Sequence, residues 1–106
     1  MIPNILSIAG SDPSGGAGIQ ADIKAISANG GYAMAALTGR TAQNTTGVQG
    51  VEMVSPAMIA QQIASLRADI RIDAVKIGML GDARTIETVA KALDGLDAPV
   101  VLDPVM

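Results

Sequence analysis

Ile8-Ala-Gly-Ser-Asp-Pro-Ser-Gly-Gly-Ala-Gly-Ile-Gln-Ala-Asp22 is the stretch that decides the fold. A short apolar run, Ile5 to Ala9, leads into it, and a helical pattern follows at once, with Ile19, Ile23 and Ile26 at i, i+4, i+7 spacing. The segment therefore reads as a strand, a glycine-rich turn and a helix N-terminus. Small residues let backbone N–H groups approach a ligand closely, with the helix dipole behind them. This points to a small-molecule site without saying which molecule.

Working outward, strands are expected at Asn4–Ala9, Tyr32–Thr38, Gly50–Val54, Asp73–Ile77 and Pro99–Leu102, with a polar loop over Arg40–Gly47. Ser14 is expected to cap the first helix, which Asn29-Gly30-Gly31 ends. Ser55-Pro56 opens a second helix with the buried stripe Ile59, Ile63 and Leu66. Asp82 caps a third, turning Ile86, Val89, Ala90 and Leu93 inward. The order β-α-β-β-α-β-α-β predicts an α/β fold with a mostly parallel sheet and right-handed crossovers. Ligands in such sheets sit beyond the carboxyl ends of the strands. The loop after Ala9, Thr41–Thr46, Gly78-Met79-Leu80 and Asp103–Met106 all fall there.

Composition narrows the chemistry. The 106 residues make one domain at most. Apolar residues form 49% of the chain, yet Tyr32 is the single aromatic, so the core is built from aliphatic side chains and alanine. A net charge of −3 without a basic patch argues against nucleic acid. The absence of Cys and His removes disulfides, thiol and imidazole catalysis and zinc sites. No apolar run approaches the roughly 20 residues that span a bilayer, and no signal peptide is evident, so a cytoplasmic protein is expected. The chain stops as a buried strand ends, which reads as an interrupted fold.

Several residue-level readings stay open at this point. Gly16-Ala-Gly18-Ile-Gln-Ala21 matches a dinucleotide fingerprint, but the second strand ends in Ala36-Leu37-Thr38 without the required acid. Gly10 and Gly15 have P-loop spacing, but Gly16 and Ala17 stand where Lys and Ser/Thr are needed. A loop closing over a polar ring, or a tight turn with no ligand, remain. Asp22 is either a ligand-side acid or an early-helix acid favoured by the dipole. Asp103 is either functional or the start of an Asp-Pro turn. Lys76 interrupts an apolar strand and needs a partner, with Asp73 or Asp103 as candidates. Arg40 is either a phosphate ligand or a solvent-facing charge.

Four ordered motifs carry a resemblance. Ala9 to Asp22, Ala42-Gln-Asn-Thr45 with Gly47-Val-Gln49, Lys76-Ile-Gly-Met-Leu80, and Val101-Leu-Asp-Pro-Val-Met106 resemble the hydroxymethylpyrimidine/phosphomethylpyrimidine kinases of thiamine biosynthesis, within the ribokinase-like superfamily. The resemblance covers the whole chain but only the N-terminal portion of the family's length. It implies a partial ribokinase-like domain over residues 1–106, part of a three-layer fold. It implies ATP-dependent phosphorylation of 4-amino-5-hydroxymethyl-2-methylpyrimidine and then of its monophosphate, with ATP and Mg2+ as cofactors.

The resemblance also assigns residues. Gln43 would contact the pyrimidine, and a carboxamide's adjacent donor and acceptor suit an aminopyrimidine edge. Asp22 would lie near the substrate, Gly10 and Ala17 would line the pocket, and Met79 and Val105 would sandwich the ring. Asp103 would stand near the nucleotide phosphates and magnesium. Gly39-Arg40 departs from the small or apolar residues usual there. The family's catalytic residues and adenine cleft lie downstream, so no catalytic residue and no metal ligand is assigned here, and the isolated chain is expected to bind without turnover. A complementary C-terminal chain, or a homo-oligomer, is the expected partner. The alternative is a non-catalytic fragment or assembly partner that self-associates through its sheet edge.

Overall fold

The computed structural model of the chain describes residues 1–103. Its elements are β1 (Asn4–Ser11), α1 (Gly18–Ala28), β2 (Tyr32–Asn44), β3 (Gly47–Met53), α2 (Pro56–Asp69), β4 (Ala74–Ile77), α3 (Ala83–Ala92) and β5 (Val100–Leu102). They form one sheet in the order β3-β2-β1-β4-β5. All neighbouring pairs are parallel except β2 and β3, which form an antiparallel hairpin. The expected α/β architecture and element order therefore hold.

Alternation along β1 sorts the two faces of the sheet. Leu6 and Ile8 are fully buried with Met34, Val75, Ile77, Ile59 and Ile63, so α2 covers this face. α3 packs on α2 and adds Val89. Ser7 points the opposite way, toward Asp22 of α1, so α1 covers the other face alone. Ser55 caps α2 by accepting from the Met58 N–H, with Pro56 in the first turn, and Asp82 caps α3 by accepting from the Thr85 N–H, both as expected.

Four local expectations need correction. Arg40–Gly47 is not a loop: residues through Asn44 continue β2, and β3 begins at Gly47. The stretch is polar because no helix covers it. Its conformation comes from pairing with β3, while both its faces remain accessible. Ser14 does not cap α1, whose N-cap is Ala17 with no side-chain bond, because the Ser14 hydroxyl is committed to Asp12. Ile86 and Ala90 face outward, and Thr85 joins Val89 as the buried pair of α3, since a helix resting mainly on α2 buries a narrow stripe. Ile23 is exposed while Ile19 is buried. Among the described residues, no helix is long and apolar enough to cross a membrane.

Candidate functional site

The site is built at the carboxyl ends of β1, β2 and β4, around the turn that follows β1. Asp12 organises that turn. Its carboxylate accepts the Ser14 hydroxyl at 2.7 Å, the Ser14 N–H at 2.9 Å and the Gly16 N–H at 3.2 Å. The side chain is almost wholly buried, and these bonds offset the cost of burying it. The Ser14 hydroxyl, followed by the backbone N–H groups of Ser14, Gly16 and Ala17, holds the Asp12 carboxyl below the usual carboxylate range, against the opposing effect of burial. Gln20 ties the turn from the helix side: its Oε1 accepts the Asp12 N–H at 2.8 Å and its Nε2 donates to Ser11 Oγ at 2.7 Å. Gly18 closes it, with φ +61°, where an added Cβ would lie 2.2 Å from the Gly10 carbonyl oxygen. Only glycine fits there.

Two bulges aim the opposite wall. One lies between Ala9 and Gly10 in the β1/β2 pairing, which leaves Thr38 as the extra residue. Thr38 is buried, and its carbonyl accepts the Val54 N–H at 3.0 Å. The second lies between Ala42 and Gln43 in the β2/β3 pairing, where Gln49 is extra. Bulges bend a strand and re-aim side chains, and they recur beside functional sites. Thr41 and Gln43 share a face of β2 by alternation. Thr41 Oγ1 donates to the Ser11 carbonyl at 2.9 Å and lies 3.0 Å from Gln43 Oε1. The amide of residue 43 and the glycine turn are thus linked through one hydroxyl.

Between them is an open cavity of about 370 Å³. The glycine turn contributes Gly10, Asp12 and Ala17, β2 contributes Thr41 and Gln43, and Lys76, Gly78 and Met79 close the β4 side. Val48, Val51 and Met53 of β3 add an apolar wall. This volume suits a single small ring, and an apolar lining with a few polar groups is the usual chemistry of such sites.

The structure brings Gly10, Ala17, Gln43 and Met79 of the candidate residues together around this cavity. An added Cβ at Gly10 would make only ordinary contact, 3.6 Å from the Gly39 oxygen, so the space that glycine leaves belongs to the cavity rather than to a crowded backbone. Asp22 does not line the cavity. It stands one contact away from the lining, accepting the Ser7 hydroxyl at 2.6 Å and pairing with the lining residue Lys76 through Nζ at 2.9 Å. Asp103 is half-exposed, 3.7 Å from the same ammonium. Val105 lies outside the described residues. Lys76 takes Asp22 as its main partner, which the sequence reading did not name, and Asp103 as a longer-range second one, as expected, while Asp73 instead binds Arg71 and the Asn4 N–H. Arg40 pairs with Glu52 across the hairpin, both exposed, so it reaches solvent.

Sequence reasoning missed Asp12, Thr41, Lys76 and the β3 wall as lining residues. Asp12 had a legible signal, since Asp two residues before Ser is an Asx-turn pattern. The wall had none, because Val48, Val51 and Met53 do not lie on one strand face by simple alternation.

The family model described as phosphomethylpyrimidine kinase matches residues 12–106. The hydroxymethylpyrimidine/phosphomethylpyrimidine kinase of Escherichia coli K12 is 51% identical over 104 residues, covering 97% of this chain and 39% of that protein. The phosphomethylpyrimidine kinase structure from Clostridium difficile 630 superposes with a TM-score of 0.93 at 47% identity, covering 98% of this chain and 46% of that one. The pyridoxal kinase of Staphylococcus aureus, solved with AMP-PCP and pyridoxal, superposes at 0.88 with 34% identity, covering all of this chain and 40% of that one. The chain thus spans less than half the length of these relatives.

Proposed function

The chain belongs to the phosphomethylpyrimidine kinase family, and from that premise we propose that it forms the ring-holding side of an ATP-dependent kinase acting on 4-amino-5-hydroxymethyl-2-methylpyrimidine and its monophosphate. The observation that carries the reading is the meeting of Gln43 with the glycine turn around one cavity. The Gln43 carboxamide offers donor and acceptor side by side to an exocyclic amine and a ring nitrogen. Met79 gives a polarizable apolar surface to the ring face, and Gly10 and Ala17 leave the room that a flat heterocycle needs.

ATP, when bound, supplies the phosphoryl group. The glycine turn is not its cradle in this proposal, because the Ser14 and Gly16 N–H groups are already taken by Asp12. The turn shapes the pocket for the ring. Asp103, beside Lys76 at the end of β5, is the side chain we assign to the nucleotide side. Among the described residues no group of three or more His, Cys, Asp or Glu side chains converges to hold a metal. These residues therefore do not by themselves fit a magnesium site, and no step is derived through the ion. A cytoplasmic setting goes with this reading, since the chain has no cysteine that would call for an oxidising compartment.

Titration calorimetry tests the proposal. The aminopyrimidine should bind the 106-residue chain more tightly than pyridoxal does, and Gln43→Ala should weaken it about tenfold or more. Preference for pyridoxal, or unchanged pyrimidine affinity in Gln43→Ala, contradicts it.

A further inference from the structure

Lysine is out of place in β4, which otherwise reads Ala74-Val75 and Ile77. Its register partner on β1 is Ser7, on the α1 face. The Lys76 ammonium lies 3.1 Å and 2.9 Å from the two carboxylate oxygens of Asp22. An ammonium has three N–H donors, and the two oxygens of Asp22 engage at most two of them. Asp103 is 3.7 Å away and half-exposed, within ionic attraction but beyond hydrogen-bond length. Among the described residues at least one N–H is therefore left without a hydrogen-bonding acceptor, on a group that lines the cavity.

Gly78 keeps that ammonium uncovered. A Cβ there would lie 3.4 Å from Lys76 Nζ and 3.0 Å from the Ala9 Cβ. The strand order then fixes the geometry. β2 and β4 flank β1 on opposite sides, so Gln43 and Lys76 reach the cavity from opposite directions. A flat ring lying over the end of β1 meets a carboxamide at one edge and an ammonium at the other. The carboxamide can serve the amine and ring nitrogen. The ammonium can serve only an acceptor.

We propose that Lys76 is a specificity-determining residue whose third N–H donates to the hydroxymethyl oxygen of the aminopyrimidine, and that Asp22 is a positioning residue that orients the ammonium without touching the ring. This rests on the pyrimidine reading above. It moves Asp22 from the substrate's first contacts to the group behind them, consistent with its place outside the cavity lining and against Lys76.

The test compares two ligands, 4-amino-5-hydroxymethyl-2-methylpyrimidine and 4-amino-2,5-dimethylpyrimidine, which lacks only the hydroxyl. Dissociation constants are measured by calorimetry for the wild-type chain, Lys76→Met and Lys76→Arg. Wild type should prefer the hydroxylated ring by about tenfold or more, as for a hydrogen bond from a charged donor. Lys76→Met should bring the ratio close to one, and Lys76→Arg should restore part of it. A merely structural lysine would weaken both ligands equally and leave the ratio unchanged, and that result overturns the inference, as does a wild-type ratio near one. If neither ring binds wild type, the pyrimidine reading itself fails and the role of Lys76 with it. Should Lys76→Met not fold, because it strands the Asp22 carboxylate, Lys76→Met with Asp22→Asn removes both charges and the same ratio is read.

Discussion

One strand serves two faces of this molecule, and they are held together by different physics. Leu6 and Ile8 of β1 are wholly buried against the α2 side, among aliphatic groups that require only volume and shape. Ser7, between them, is equally buried on the α1 side, but it donates to Asp22, which in turn holds Lys76. On that face each group needs a particular partner, because a buried polar atom left alone is costly. Apolar residues on the first face are interchangeable within limits of size. On the second, the identity of each side chain is set by its neighbour, and the candidate cavity opens at the end of this polar face.

The comparison breaks most readily at Leu6. Leu6→Ala should cost about 2–5 kcal/mol of stability, the range for a large-to-small change in a closed core, seen as an earlier urea midpoint. Affinity for the pyrimidine, per folded molecule, should stay as in wild type. A loss of affinity without a loss of stability would mean that the two faces are not separate. Asp22→Asn attacks the polar face instead. It should cost about 1–3 kcal/mol, the scale for weakening a partly buried charged hydrogen bond, and unlike Leu6→Ala it should also weaken ligand binding.

Acid sharpens the contrast further. Asp12 is held below its ordinary value of 3.8, chiefly by the Ser14 hydroxyl. Its ionised form is thus favoured by folding. The contribution is complete above 3.8 and is lost as the pH falls through the lowered folded value. Asp73, held down first by Arg71, and Asp82, held down first by the Thr85 N–H, shift in the same direction. Asp12→Asn should therefore make the acid limb of the stability profile shallower without removing it, as followed by circular dichroism. An unchanged limb would mean that the carboxylate does not organise the glycine turn. The smallest effect is expected at Arg40→Ala. Its partner is Glu52, and the two side chains are 71% and 66% exposed, so stability should move by less than about 0.5 kcal/mol.

The two faces were not equally legible in the sequence. The apolar face announced itself through periodicity: Ile59 and Ile63 lie one helical turn apart, and the strand runs that face them are continuous. The element order followed from the same pattern. The site was legible in part. The glycine turn, Gln43 and Met79 could be placed at one rim because they lie at or beyond the carboxyl ends of strands expected to be parallel. The Asp22–Lys76 pair could not, since the residues are 54 positions apart and only the β1/β4 register brings their faces together. The extension of β2 through Arg40–Asn44 was hidden for a related reason. A strand defined by its partner, with neither face buried, has no hydrophobic alternation to read. The bulge that aims Gln43 is likewise a property of pairing, and a single strand carries no sign of it.

Backbone amide shifts read by NMR during a titration with 4-amino-5-hydroxymethyl-2-methylpyrimidine test the ring-holding cavity most directly. Shifts should concentrate at Gly10, Ala17, Gln43 and Met79, which line it, while Ile59 and Ile63 on the far face stay put. No response, or a response centred on the hollow between Arg67, Ile72 and Leu96, would contradict the account.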